Sequence, residues 1–206
     1  MIIKVCGMRD ADNIRQLDEA NIADWMGFIF YEKSKRNVNS LPAYMPQKSK
    51  RVGVFVNFPM DEILEKVMEF GLNIVQLHGN ETLGFCNELR NRLSLDIKII
   101  KMIQIESCKD LHSCAEYEPS VDYFLFETKC NSYGGSGQQF DWEFLKSYSG
   151  FTPFILTGGI GPEDVEKINS FDHPLFAGID LNSKFEICPA FKDIELLKTF
   201  VKQLKS

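Results

Sequence analysis

The stretch Val121–Trp142, VDYFLFETKCNSYGGSGQQFDW, decides how this chain is read. Its apolar core, Tyr123–Phe126, has strand character and closes on a carboxylic acid, Glu127, before a loop carrying Gly134, Gly135 and Gly137. A buried strand with an acid at its C-terminal tip and glycine-rich backbone beyond is how an α/β barrel presents a reactive group. Cys6 occupies the equivalent place at the end of the first apolar run, Ile2–Cys6.

Working outward from that segment, seven more short apolar runs recur along the chain. They are Ile2–Cys6, Trp25–Phe30, Arg51–Val56, Ile74–Leu77, Ile97–Met102, Phe154–Leu156 and Leu175–Gly178. Most are continuously apolar, as expected of parallel strands buried on both faces. Amphipathic patterns fill the gaps at Ala11–Ala20, Met60–Phe70, Glu81–Arg92, Lys109–Glu116, Trp142–Ser147, Pro162–Asn169 and Ile194–Leu204. The gap around Ser40–Ser49 is only weakly helical. Pro59, Asp61 and Pro162 stand where helices are expected to start. Eight strand–helix units with no G-x-G-x-x-G after the first strand favour a closed sheet over an open doubly wound one. The expected fold is α/β, a (β/α)8 TIM-type barrel forming one domain over residues 1–206.

Composition narrows the function classes. Of 206 residues, 44% are hydrophobic and 25% charged, ordinary for a globular chain. The net charge of -6 and the lack of a basic cluster argue against nucleic-acid binding. An anionic substrate must therefore be held by local donors. No apolar run of membrane-spanning length occurs, and MIIKVCGMRD reads as a strand, not a signal peptide, so a cytoplasmic protein without membrane contact is expected. Six cysteines without C-x-x-C spacing and three histidines without H-E-x-x-H give no expectation of a metal site.

Polar and reactive residues collect at the predicted strand ends. The motifs KVCG (Lys4–Gly7), GFIF with SKR (Gly27–Phe30, Ser34–Arg36), VGVFVN (Val52–Asn57) and VQLHG (Val75–Gly79) are followed by YGGSG-x-x-FDW (Tyr133–Trp142). LTGGI-x-P-x-x-V (Leu156–Val165) and GIDLNS-x-FE with P-x-x-KD (Gly178–Glu186, Pro189–Asp193) complete the series. In order and spacing these seven motifs resemble phosphoribosylanthranilate isomerase, a family of tryptophan biosynthesis. The resemblance runs from Lys4 to Asp193.

It implies an Amadori rearrangement of N-(5-phosphoribosyl)anthranilate to 1-(2-carboxyphenylamino)-1-deoxyribulose 5-phosphate, with no cofactor and no metal. Such chemistry needs an acid that opens the furanose ring and a base that removes the C2 proton. Cys6 is the candidate base, and its thiol must be lowered from about 8.5 to hold useful thiolate at neutral pH, with Lys4 as helper if it points inward. Glu127 is the candidate acid, standing where the family pattern carries aspartate. The extra methylene moves the carboxyl by more than about 1 Å unless the side chain folds back, and such a displacement can cost on the order of a hundredfold in rate.

Arg36 is expected to clamp the anthranilate carboxylate through its fork of donors. Gln76, His78, Gly135 and Asp180 are expected to line the substrate pocket, Gln76 and His78 on the inner face with Leu77 outward. Gly158 and Gly159 with Asn182 and Ser183 match a barrel phosphate site after the seventh and eighth strands. Lys184 replaces a glycine common in the family, and would be strained if that position required positive φ. The expected partner is a phosphorylated aminosugar, bound by a monomer or homodimer. A catalytically weak or non-catalytic phosphosugar-binding relative is the alternative, raised by Glu127 and Lys184.

Overall fold

The computed structural model describes residues 1–128 and 142–204. Eight parallel strands close into a barrel in sequence order: β1 (Ile2–Cys6), β2 (Trp25–Ile29), β3 (Lys50–Phe55), β4 (Ile74–Leu77), β5 (Lys98–Ile105), β6 (Tyr123–Thr128), β7 (Phe154–Leu156) and β8 (Phe176–Leu181). β1 pairs with β2 on one side and β8 on the other, with Lys4 in register with both Trp25 and Asp180.

The two-residue period of a strand separates two cores. Trp25, Val52, Val54, Ile74, Ile100, Met102, Leu125 and Ile155 pack inside the barrel with Cys6. Ile3, Val5, Phe55, Val75, Leu77, Phe124, Phe126, Ile179 and Leu181 face outward and belong to the larger core beneath the helices. Lys4, Gln76, Glu127 and Asp180 share the parity of the inner residues, so each sits inside near the C-terminal mouth.

The covering helices are α1 (Ala11–Ala20), α2 (Met60–Phe70), α3 (Leu83–Arg92), the four-residue α4 (Cys114–Tyr117), α5 (Val165–Ser170) and α6 (Ile194–Leu204). Asp10 caps α1 by accepting from Asn13 N, and Thr82 caps α3 by accepting from Phe85 N. Gly71 ends α2 at φ 57, the left-handed conformation glycine adopts cheaply.

Several predicted helices are shorter or tighter. Lys109–Glu116 divides into a 3-10 turn, Cys108–Ser113, followed by α4 and a further 3-10 turn, Glu118–Ser120, that carries Pro119. Trp142–Ser147 is 3-10, and Pro162–Asp164 is a 3-10 turn leading into α5. The Ser40–Ser49 gap has no helix. There the buried Asp18 carboxylate accepts from Tyr44 Oη, Gln47 N, Lys48 N and Ser49 N at 2.9–3.2 Å, replacing helical hydrogen bonds with a side-chain anchor. These bonds hold its pKa below the carboxylate norm, although burial opposes them.

β8 runs three residues past the predicted Gly178, which carries Asp180 on structured backbone. Beyond it a small antiparallel hairpin, β9 (Glu186–Cys188) and β10 (Phe191–Lys192), precedes α6. No helix among the described residues is long and apolar enough to cross a membrane.

Candidate active site

Cys6, Arg36, Gln76, His78, Glu127, Gly158, Gly159, Asp180, Asn182 and Ser183 all line one cavity at the C-terminal mouth. Ile29, Val54, Val56 and Ile160 supply apolar wall, and Tyr31, Ser34 and Thr157 complete the lining. Gly135 lies outside the described residues. Every other residue expected from sequence to line the site does so.

On the β1–β8 side, Lys4 is fully buried and donates from Nζ to Asp180 Oδ1 at 2.8 Å. Burial would lower the Lys4 pKa, but the Asp180 carboxylate and the Cys6 sulfur outweigh it and raise the value. Lys4 therefore points inward, beside the thiol. Cys6 itself is 4% exposed. Burial pushes its pKa above the ordinary thiol value, Lys4 and Lys192 pull it down, and Asp180 adds to the upward push. This corrects the expectation of a depressed thiol: the two cations limit a rise and do not reverse it. Gly27 leaves room for the sulfur, because a Cβ there would lie 2.8 Å from Cys6 Sγ.

On the β4–β6 side, an amide, an imidazole and a carboxyl follow one another. Gln76 Nε2 lies 2.9 Å from His78 Nδ1, and His78 Nε2 lies 3.1 Å from Glu127 Oε2. With the Gln76 amide donating to Nδ1, the remaining imidazole hydrogen sits on Nε2 and points at the Glu127 carboxyl. The histidine thus fixes the carboxyl whose extra methylene would otherwise let it wander. Sequence reading placed His78 in the pocket, and its bond to Glu127 is new.

The loops complete the mouth. Gly158 and Gly159 have φ 92 and 69, a conformation that turns their backbone into the cavity after β7. Asn182 and Ser183 face them after β8, where the helical segment is a single 3-10 turn, Ser183–Phe185. Lys184 is exposed, does not line the cavity and has no positive φ, so the strain considered for that position is not found. Arg36 reaches the cavity with Nε and Nη2 already donating to Glu186 at 2.6–3.1 Å, so its end-on edge is the one available to a bound carboxylate.

Two charged residues of this neighbourhood, Glu186 and Lys192, escaped the sequence reading, and Lys101 lies differently from the other strand-end residues. Lys101 stands among the polar strand ends but turns outward, donating to Glu81 Oε2 at 2.9 Å and Gly79 O at 2.7 Å. It braces the loop after His78. Glu186 and Lys192 lie in the FE and P-x-x-KD parts of the last motif, which is the signal that marks them.

A closed parallel barrel with an acid, a thiol and glycine loops gathered at its C-terminal mouth defines a (β/α)8 enzyme of phosphorylated small molecules. The model of the N-(5'phosphoribosyl)anthranilate (PRA) isomerase family matches residues 3–203. N-(5'-phosphoribosyl)anthranilate isomerase of Phocaeicola vulgatus is 49% identical over 205 residues, covering 100% of this chain and 98% of its own. The isomerase of Parabacteroides distasonis is also 49% identical, over 99% of this chain and 93% of its own. Among solved structures, phosphoribosyl anthranilate isomerase from Thermotoga maritima superposes with a TM-score of 0.83 at 33% identity, over 100% and 99% of the two chains. Another isomerase, solved in complex with reduced 1-(o-carboxyphenylamino)-1-deoxyribulose 5-phosphate, matches at TM-score 0.80 and 30% identity, over 100% and 99%. The chain belongs to the phosphoribosylanthranilate isomerase family.

Proposed function

We propose that this chain is a single-domain, cofactor-independent isomerase of the aldose–ketose type, with Glu127 as general acid and Cys6 as general base. It converts N-(5-phosphoribosyl)anthranilate to 1-(2-carboxyphenylamino)-1-deoxyribulose 5-phosphate in tryptophan biosynthesis. The observation that carries the reading is that thiol and carboxyl, from strands three positions apart round the barrel, line one cavity with Arg36 and the β7 and β8 loops.

Glu127 gives its proton to the furanose ring oxygen. The C1–O bond breaks, and the anthranilate nitrogen lone pair forms the C1=N bond of a protonated Schiff base. The Cys6 thiolate then takes the proton from C2; the C2–H electrons become the C1=C2 bond and the C1=N π pair returns to nitrogen, giving an enolamine. Its tautomerisation, in which C1 gains a proton and the C2 hydroxyl loses one, gives the ketone.

Binding roles follow from the donors present. The end-on edge of Arg36 takes the anthranilate carboxylate in parallel hydrogen bonds. Backbone N–H groups at Gly158, Gly159 and Ser183, with Asn182, take the phosphate. Asp180 keeps Lys4 beside the sulfur, and Gln76 and His78 hold Glu127. Fixing both substrate ends confines the sugar between acid and base, the entropic part of the catalysis.

A steady-state fluorescence assay of anthranilate-ribosyl phosphate turnover tests this reading. Activity in the wild type, lost in Cys6→Ala and restored or raised by Glu127→Asp, supports it. Absence of turnover by the purified wild type rejects it in favour of a non-catalytic phosphosugar-binding relative.

A further inference from the structure

The β9–β10 hairpin carries two charged residues that neither touch the cavity nor belong to the outer surface. Glu186 and Lys192 have side chains 5% and 0% exposed, and neither lines the pocket. Glu186 accepts from Arg36 Nη2 at 2.6 Å and Nε at 2.9 Å, a side-on pair that sets the plane of the guanidinium. Its Oε1 also accepts from Lys192 Nζ at 2.6 Å, and Lys192 Nζ donates to Asn182 Oδ1 at 2.7 Å.

The chain of charge-assisted bonds is continuous: Arg36, Glu186, Lys192, Asn182. Resting on the functional reading above, its ends are the carboxylate clamp and the phosphate loop. We infer that Glu186 and Lys192 are positioning residues that tie the two ends of the substrate site together, so that ordering one end orders the other.

The surroundings show why the strut is rigid. Lys192 backbone is locked in both directions by Asn13, whose Oδ1 accepts from Lys192 N at 2.8 Å and whose Nδ2 donates to Lys192 O at 2.9 Å. Ala190 N adds a bond to Glu186 Oε1 at 3.1 Å, so the hairpin turn holds the carboxylate as well. Arg36 and Asn182 also converge over Gly7, where a Cβ would meet Arg36 Cδ at 2.6 Å and Asn182 Oδ1 at 3.0 Å. Two binding groups from opposite ends of the substrate site share one floor and one strut. Burial without such pairing would cost far more than an exposed ion pair returns. The network is therefore kept for the placement it enforces.

The test uses the intact enzyme and two probes. Wild-type turnover and inorganic phosphate binding by calorimetry come first, and failure of both strikes the functional reading, not this one. Glu186→Gln keeps shape but breaks the fork. It is expected to raise KM about tenfold, the loss of about one charged hydrogen bond, with kcat within about threefold. It is also expected to weaken inorganic phosphate binding by severalfold, although Glu186 does not line the cavity. Glu186→Asp should recover part of both losses. A purely structural role would lower the thermal midpoint and leave phosphate affinity of the folded fraction unchanged. Phosphate affinity equal to wild type in Glu186→Gln, with or without a KM change, overturns the coupling.

Discussion

The two sides of the barrel mouth are built on different electrostatics. Around Cys6 stand buried charges of both signs, Lys4 and Lys192 with Asp180, and Glu186 one step further on. Around Glu127 stand an imidazole and an amide in line, Gln76 to His78 to Glu127. The difference matches the two tasks. A buried thiol must be helped to ionise, which takes cations close by, and those cations must themselves be paired to be buried. A carboxyl that donates a proton needs direction more than extra charge, and a neutral hydrogen-bond chain supplies direction.

The largest expected effect is on the charged side. Cys6→Ala should lower kcat/KM by about a thousandfold, within the range of a lost general base, measured by steady-state fluorescence. On the neutral side, Glu127→Gln should cost on the order of a hundredfold or more, since the amide keeps the bond from His78 but carries no proton to give. A residual rate in Glu127→Gln equal to wild type would break the comparison, leaving only one working side.

Lys4→Met separates the sides by pH. The Cys6 pKa lies above the ordinary thiol value because burial outweighs the cations. Since the thiolate is the active form, kcat/KM should still be rising with pH above about 8.5 in the free enzyme. Removing Lys4 takes away the larger of the two opposing cations, so this ascending limb should move to higher pH. An unmoved limb would show that Lys4 does not tune the thiol.

Stability should respond more gently. Glu186 is held below the carboxylate norm, since the Arg36 and Lys192 bonds outweigh burial. A depressed folded pKa means its contribution is present above the unfolded value of about 4.3 and is lost as pH falls toward the folded one. Asp18 behaves alike, so urea midpoints should drop as pH falls below about 4, and Asp18→Ala should flatten part of that drop. At the other extreme, burial raises Cys86 to about 11 and Cys114 to about 12. Folding then favours the protonated thiols, and stability should decline as pH rises above about 8.5.

Much of this was legible in sequence because buried parallel strands write themselves as apolar runs and alternate at period two. That parity places Gln76 and His78 on the inner face, with Leu77 outward, before any coordinate is known, while Cys6, Glu127 and Asp180 are marked by the strand-end motifs they sit in. The 3-10 segments Cys108–Ser113 and Trp142–Ser147 were less legible, since over six residues a 3-10 turn and a short α-helix share one pattern. The Ser40–Ser49 loop depends on Asp18, an acid on another element, and no local pattern reports that. The hairpin was hidden for a similar reason: three-residue and two-residue strands are too short to show a period. Glu186 and Lys192 acquire meaning only when Arg36 and Asn182, distant in sequence, are brought against them.

The pH profile of kcat/KM for wild type and Cys6→Ser, run side by side, bears on the sulfur most directly. The expected wild-type curve keeps an ascending thiol limb in the alkaline range, and Cys6→Ser loses both that limb and most of the rate. Two superimposable profiles of equal height would remove the thiol from the reaction.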